Sequence, residues 1–308
     1  MFGLFGNKQT GTLTGVVTGE GGTAIASVKR SGRAQPRLQS CNFSEISGAT
    51  SDPLAGLPDG IQGRSPCTAL LPVGDYQLLV VDAPEVPAEE IAAAIRWRIK
   101  DLLDFHVDDA VIDIFDAPPT GPASTKQLYV VVARADTVRQ RIESLEEAGI
   151  KLEIIDIPEL AMRNIAACLP EDEAGLVSLY FDKDRCLITI THNAELYLTR
   201  SIDIGYLELQ EQAASPQALC NRLALEIQRS MDYYEHNYHQ AAVKAVAILP
   251  VPVTLFGLSD ALQQTLGVST RMIGVNDIVD CDAVPDDRHA ADCLLAVGSA
   301  LRTEAAAL

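Results

Sequence analysis

Positive charge is scarce in this sequence. Its 308 residues carry 24 Lys and Arg against 42 Asp and Glu, a net charge of −18. A field of that sign repels phosphate backbones and anionic headgroups, so nucleic acid is disfavoured as a partner. The few clustered bases, Lys29, Arg30, Arg33 and Arg37, have no aromatic residues between them. Long apolar runs are also missing. The best, Ala245 to Leu258, is broken by Pro250 and Pro252 and falls short of the ~20 residues a spanning helix needs. Met1 to Lys8 has an apolar tip far too short for a secretory h-region. The seven cysteines (41, 67, 168, 186, 220, 281, 293) form no Cys-x-x-Cys pair. They read as reduced, mostly buried thiols of a cytosolic protein. Gly-x-Ser-x-Gly is absent and no Cys–His pairing is signalled, so nothing points to a nucleophilic hydrolase.

What is present suits a globular protein of two lobes, each of roughly 150 residues. Hydrophobic content is 47%, enough for a sizeable core. Thr12–Val17 and Thr23–Lys29 flank Gly19-Glu20-Gly21-Gly22 and predict a β-hairpin. Residues 31–65, rich in Gly, Ser, Pro and Asn, read as a long connection with a short helix at its centre. Tyr76–Asp82 reads as a buried strand. Pro87-Ala-Glu-Glu90 opens a helix expected to run to about Leu103, with two acids in the first turn where the dipole favours them. Strands ending at Phe115 and covering Gln127–Ala133 follow. Then come a helix from Thr137 to Ala148, a strand over Lys151–Ile157 and a helix from Pro158 to about Cys168. The acidic, breaker-rich Leu169–Gly175 marks the lobe boundary, giving lobes at 1–170 and 171–308, with an inserted subdomain at about 84–150. The second half predicts a meander (Leu176–Phe181, Cys186–Thr191, Leu196–Ile202), a long helix from Pro216, a strand over Val243–Leu249, and helices over Asp260–Leu266 and Ala290–Leu301. The two halves repeat one order of elements, which suggests an internal duplication.

Several constellations have plain explanations. Glu235, His236 and His239 would need another ligand to hold a metal, and polar residues at a helix end account for them. The acid clusters Asp101/Asp104, Asp108/Asp109, Glu171/Asp172/Glu173 and Asp286/Asp287 read as solvated turns and helix ends. Asp286-Asp287 could instead cap the last helix. Trp97, the single tryptophan, sits among Arg96, Arg98 and Lys100. It reads either as a core indole with snorkelling neighbours or as an anchor for a partner peptide or the membrane surface. Leu102, Leu103 and Phe105 would extend that apolar surface.

Pro84-Glu-Val-Pro-Ala-Glu-Glu-Ile-Ala-Ala-Ala-Ile-Arg-Trp-Arg-Ile-Lys-Asp-Leu-Leu-Asp-Phe105 resembles the MshI-type MSHA pilus biogenesis proteins, relatives of PilM and of the cytoplasmic part of GspL. Pro66–Pro72, Asp75–Leu79, Asp156–Ala161, Thr199–Gly205, Glu226–Tyr234 and Val297–Arg302 are similar to the same family in the same order. The resemblance implies an α/β, actin-like, ribonuclease-H-like duplication. It also implies a partner: the cytoplasmic N-terminal tail of a bitopic inner-membrane protein of the PilN or MshJ kind. The chain would then be cytoplasmic and peripheral to the inner membrane, with self-association as a further expectation.

The same family fold implies an ATP–magnesium site built on two glycine-bearing hairpins, each with an Asp. Here the first Asp falls on Val17, although Gly19, Gly21 and Gly22 remain and Glu20 offers a misplaced carboxylate. The second Asp-Ile-Gly falls on Tyr180-Phe181-Asp182, which puts an acid where phosphate should approach. The adenosine Gly-Gly falls on Pro250-Val251-Pro252. Only Glu226, Arg229 and Ser230 survive, and these read equally as a helix-surface pair. The expectation is a scaffold with no cofactor and no catalysis; the alternative is a working ATPase that couples nucleotide state to platform assembly.

Overall fold

The computed structural model describes residues 11–19, 21–30, 35–45, 54, 65–121, 125–212, 217–251, 257–281 and 289–303. The first half opens with β1 (Gly11–Gly19), β2 (Gly22–Arg30), β3 (Arg37–Glu45) and β4 (Cys67–Leu70). An insertion follows: β5 (Tyr76–Asp82), α1 (Ile91–Ile99), β6 (Ala110–Asp116) and β7 (Gln127–Arg134). The half closes with α2 (Ala135–Glu147), β8 (Leu152–Asp156) and α3 (Pro158–Ala166). The second half contains β9 (Leu176–Phe181), β10 (Cys186–His192), β11 (Glu195–Ile202), α4 (Tyr206–Glu211) and α5 (Gln217–Tyr238). It ends with β12 (Ala245–Ile248), α6 (Leu258–Leu266), β13 (Ser269–Met272) and α7 (Ala290–Ala300).

The strand orders are β3-β2-β1-β4-β8 and β11-β10-β9-β12-β13. In each sheet the first three strands form an antiparallel meander and the last two run parallel to the first. One topology used twice is a duplicated ribonuclease-H-like unit, and the fold is actin-like. The insertion forms a third sheet, β5-β7-β6.

The helices of the two halves are exchanged. α7 packs on β1 and β2 of the first sheet, while α3 packs on β9, β10 and β11 of the second. The two helices also pack on each other. Their sequences explain the position: Cys293-Leu-Leu-Ala-Val297 and Leu160-Ala-Met162 leave little polar surface, and a helix apolar all round belongs in a core. Two glycines set the spacing. A Cβ on Gly298 would stand 2.6 Å from the Ala161 carbonyl oxygen, and one on Gly15 would stand 1.9 Å from that of Ala296. The outer face of the first sheet is covered by Leu145 of α2, and that of the second by α5 and α6.

Several elements differ from their sequence expectations. The polar stretch Arg37-Leu-Gln-Ser-Cys-Asn-Phe-Ser-Glu45 is a strand, not a connection, because an edge strand needs only one buried face. The helix expected at the centre of 31–65 lies outside the described residues. β5 is a half-buried edge rather than a buried strand. α1 stops at Ile99, and Lys100–Leu102 form a turn. Asp172 is buried, not solvated; its carboxylate accepts from the Ala194 amide at 2.6 Å. α4 and β13 are short elements that the sequence pattern did not mark.

Candidate functional site

The two hairpins that correspond to the expected phosphate turns come from β1–β2 and β9–β10. Gly19 pairs with Gly22 at the first turn. Gly22 has φ +151°, and a Cβ there would stand 2.0 Å from the Ser44 carbonyl oxygen. Its lack of side chain is therefore required by β3 of its own sheet. Gly19 has open space around it, Gly21 approaches Phe43, and Glu20 lies outside the described residues. Val17 is buried in the core between the lobes.

At the second turn Tyr180 and Phe181 are buried. The Asp182 carboxylate accepts from the Lys183 amide at 2.8 Å. The turn's carbonyls are occupied too: Tyr206 donates to Asp182 O at 2.9 Å and Leu207 to Lys183 O at 3.2 Å. A side chain on Gly205 would collide with Lys183 O, so the start of α4 seats directly on this turn. Asp292, on the first turn of α7, lies close enough to Asp182 and His289 to feel both. Burial pushes its carboxyl up to about 6, His289 pulls it down and the Asp182 charge adds to the rise. Burial, with Asp292 and Asp182 nearby, also pushes the Tyr180 hydroxyl well up. His289 stacks on Phe43 at 3.7 Å and contacts Glu45 at 3.3 Å. Asp292 and Glu45 were missed because neither lies in a hairpin motif.

Glu226 is paired twice, to Arg229 at 2.6 Å and to Arg200 at 3.5 Å, and the Ser230 hydroxyl donates to Glu226 O at 2.8 Å. Pro250 and Val251 end the strand segment, with Val251 buried; Pro252 lies outside the described residues. The four residues expected to form one partner surface divide. Trp97 and Leu102 are 70% and 59% exposed, whereas Leu103 and Phe105 pack into the core of the third sheet. Lys100 sits 3.9 Å above the Trp97 ring. The His236 Nδ1 is 2.8 Å from Asp232 O, one turn back on its own helix. Among the described residues no three His, Cys, Asp or Glu cluster as metal ligands.

A large concavity lies elsewhere, lined by the third sheet, β8 and residues 194–196 and 238–240 of the second half. It is a groove of 1370 Å³ between β6 and β8. Among the described residues β6 pairs only with β7 and β8 only with β4, so two strand edges face the groove. Its walls are mainly apolar: Val111, Ile112, Ile114, Phe115, Ile155 and Leu160. Its polar lining includes Arg163, Arg302, Asp113, Asp116, Glu153, Glu195 and His239. Lys126 pairs with Asp116 at 2.7 Å.

The groove's floor is braced by buried polar contacts. Arg302 pairs with buried Asp156, whose other oxygen accepts from the Ile157 amide at 2.9 Å. The Tyr76 hydroxyl of β5 donates to Glu159 on α3. Burial pushes Glu159 up to about 7, although the Tyr76 bond pulls it down. Tyr129 of β7 donates to Tyr197 O of β11 at 3.0 Å, which ties the third sheet to the second lobe. The groove can receive an extended chain, because free strand edges supply backbone donors and acceptors while alternate side chains enter the apolar wall.

Residues 80–216 match the family model described as type IV pilus assembly protein PilM. Over that stretch the chain is similar to PilM. A chain of the PilM-PilN type IV pilus biogenesis complex matches with a TM-score of 0.72 at 17% identity, covering 96% of this chain and 99% of that one. That likeness across nearly the whole length agrees with the duplicated topology. The cytoplasmic domain of EpsL, an inner membrane component of the type II secretion system of Vibrio cholerae, matches at 0.49 and 13% identity over 82% and 94%. A Bacteroides thetaiotaomicron protein with an actin-like ATPase fold matches at 0.47 and 8% over 94% and 96%. No curated protein matches. Among the described residues no helix is long and apolar enough to cross a membrane.

Proposed function

We propose that this protein is a non-catalytic adaptor of a type IV pilus platform of the MSHA type. It holds the extended cytoplasmic tail of a bitopic, PilN- or MshJ-like inner-membrane protein in the β6–β8 groove. The observation that carries this reading is the pair of strand edges facing one apolar groove. Its 1370 Å³ exceeds the ~300–1,000 Å³ of ordinary small-molecule sites and suits a peptide. The PilM match and the likeness to a chain of the PilM-PilN complex support the same assignment. Attachment through that tail makes the protein cytoplasmic and peripheral to the inner membrane.

The space between the lobes supports the absence of catalysis. A polyphosphate needs exposed amides and a magnesium-holding acid at both hairpins. Here Val17 replaces one acid, and Tyr180 and Phe181 fill the second strand end. Asp182 and Asp292 would oppose phosphate charge, and two like charges ~4 Å apart at low effective dielectric repel by several kcal/mol. The residues present do not fit ATP and magnesium.

The test is isothermal titration of the full-length protein with the tail peptide of the bitopic partner. Wild type binds, and Ile155→Arg in the groove wall abolishes binding while the circular dichroism spectrum is retained. Equal binding by both proteins sinks the proposal.

A further inference from the structure

One surface takes no part in the groove or in the space between the lobes. Ile95 and Ile99 of α1 are buried against the third sheet, while Glu90, Ala93, Trp97 and Lys100 lie outward and exposed. Ala93 and Trp97 lie within α1, Glu90 ends the 3-10 turn that leads into it and Lys100 caps its C-terminus in helical conformation, so spacings of three, four and three residues bring the four along one side in a stripe. The stripe has an acid at one end, a base at the other, and a small residue beside the largest side chain in the chain. A tryptophan 70% exposed on an ordered helix loses favourable burial, since fully burying such a ring contributes more than any other side chain.

We propose that this stripe is a self-association surface, and that its occupant is α1 of a second copy of the chain, antiparallel about a two-fold axis. The argument is self-complementarity. Midway between Ala93 and Trp97 the stripe has a centre of symmetry. Reversal about that point sets Trp97 of each copy over Ala93 of the other, and Lys100, which in the single chain lies 3.9 Å over its own Trp97 ring, turns to Glu90 of the other copy. A two-fold interface requires this reciprocity, residue i meeting j and j meeting i. Glu89 falls opposite Asp101 in the same arrangement. Helices crossing at the usual inclined angles splay at their ends, which carries that like-charged pair apart. Arg96 and Arg98 are otherwise engaged, donating to the carbonyls of Val107 and Asp82. An anionic membrane is a poorer occupant, because Glu85, Glu89, Glu90, Asp101, Asp104, Asp108 and Asp109 surround the stripe.

Two short helices bury less than the ~1,200 Å² of a stable complex, so association is in the micromolar to millimolar range. Copies gathered on a shared platform meet at high effective concentration, which makes such an affinity sufficient. The surface is separate from the groove, so this inference stands or falls independently of the tail.

The chain's one tryptophan is its own reporter. Sedimentation velocity and tryptophan emission are measured together on the full-length protein from about 10 µM to about 1 mM. The expected result is a rising sedimentation coefficient with a blue-shifting emission. Ala93→Arg and Glu90→Lys should each weaken association about tenfold, and Glu90→Lys with Lys100→Glu should restore it. A monomer at every concentration overturns the proposal, as does association that Ala93→Arg leaves intact. A blue shift only with phosphatidylglycerol vesicles, or only with the tail peptide, overturns it too.

Discussion

Gly15 of β1 and Ala296 of α7 meet backbone to backbone, and this contact seats the last helix of the chain on the first strand. Any side chain at position 15 would enter the Ala296 carbonyl at 1.9 Å. Gly15→Ala should therefore lower unfolding free energy by about 3 kcal/mol, the upper range for overpacking. Gly19→Ala, with nothing within 4 Å, should change it by less than about 1 kcal/mol. Urea unfolding of the two variants checks the difference, and equal costs would contradict the packing account.

Glu159 gives the fold a pH dependence with a definite sign. Its folded value is about 7 against an ordinary 4.5, raised by burial. Between those values the native state holds a proton that the unfolded chain has lost, so its contribution to stability falls as pH rises. Glu159→Gln keeps an acceptor for the Tyr76 hydroxyl and cannot ionise. Relative to wild type, the variant should gain about 2.5 kcal/mol of stability between pH 5 and pH 8, from 1.36 kcal/mol per pKa unit. Denaturant unfolding at both pH values measures this, and a pH-independent difference would remove Glu159 as its source.

The groove and the α1 stripe should separate by mutation. Val111→Arg, on β6 in the groove wall, should weaken tail binding at least tenfold, roughly the cost of a buried interface anchor. It should leave sedimentation unchanged. Trp97→Ala should do the reverse, lowering self-association and sparing the tail affinity. A loss of tail binding on Trp97→Ala would return the tail to the α1 surface, where the sequence first placed it.

Much of the architecture was legible because it rests on periodic patterns. The β1–β2 hairpin, the second meander and the long α5 each carry their own signal, and the repeated order pointed to duplication. β3 was not legible: its Arg, Gln, Ser and Asn residues face solvent on an edge, leaving only alternate Leu38, Cys41 and Phe43 for the core. The exchange of α3 and α7 between the sheets leaves no trace in local pattern beyond the small residues Gly15, Ala161 and Gly298. For the hairpins, the sequence marked Val17, Tyr180 and Asp182, and the structure places Val17 and Tyr180 in the core and Asp182 at the β9–β10 turn. Asp292 was not legible, because it approaches Asp182 only through the return of α7. The groove is equally a product of tertiary structure, since 111–117 and 153–157 become two facing edges only once the third sheet docks. Periodicity marked Leu103 and Phe105 as apolar without telling core from surface.

The central claim is that the groove works without nucleotide. The most direct measurement is the affinity of the full-length protein for the partner's tail peptide, with and without saturating Mg-ATP, with released phosphate assayed in the same samples. Linkage requires any ATP that couples to the tail to change that affinity. The account predicts one dissociation constant under both conditions and no phosphate above background. A shift in affinity with ATP, or steady turnover, would contradict it.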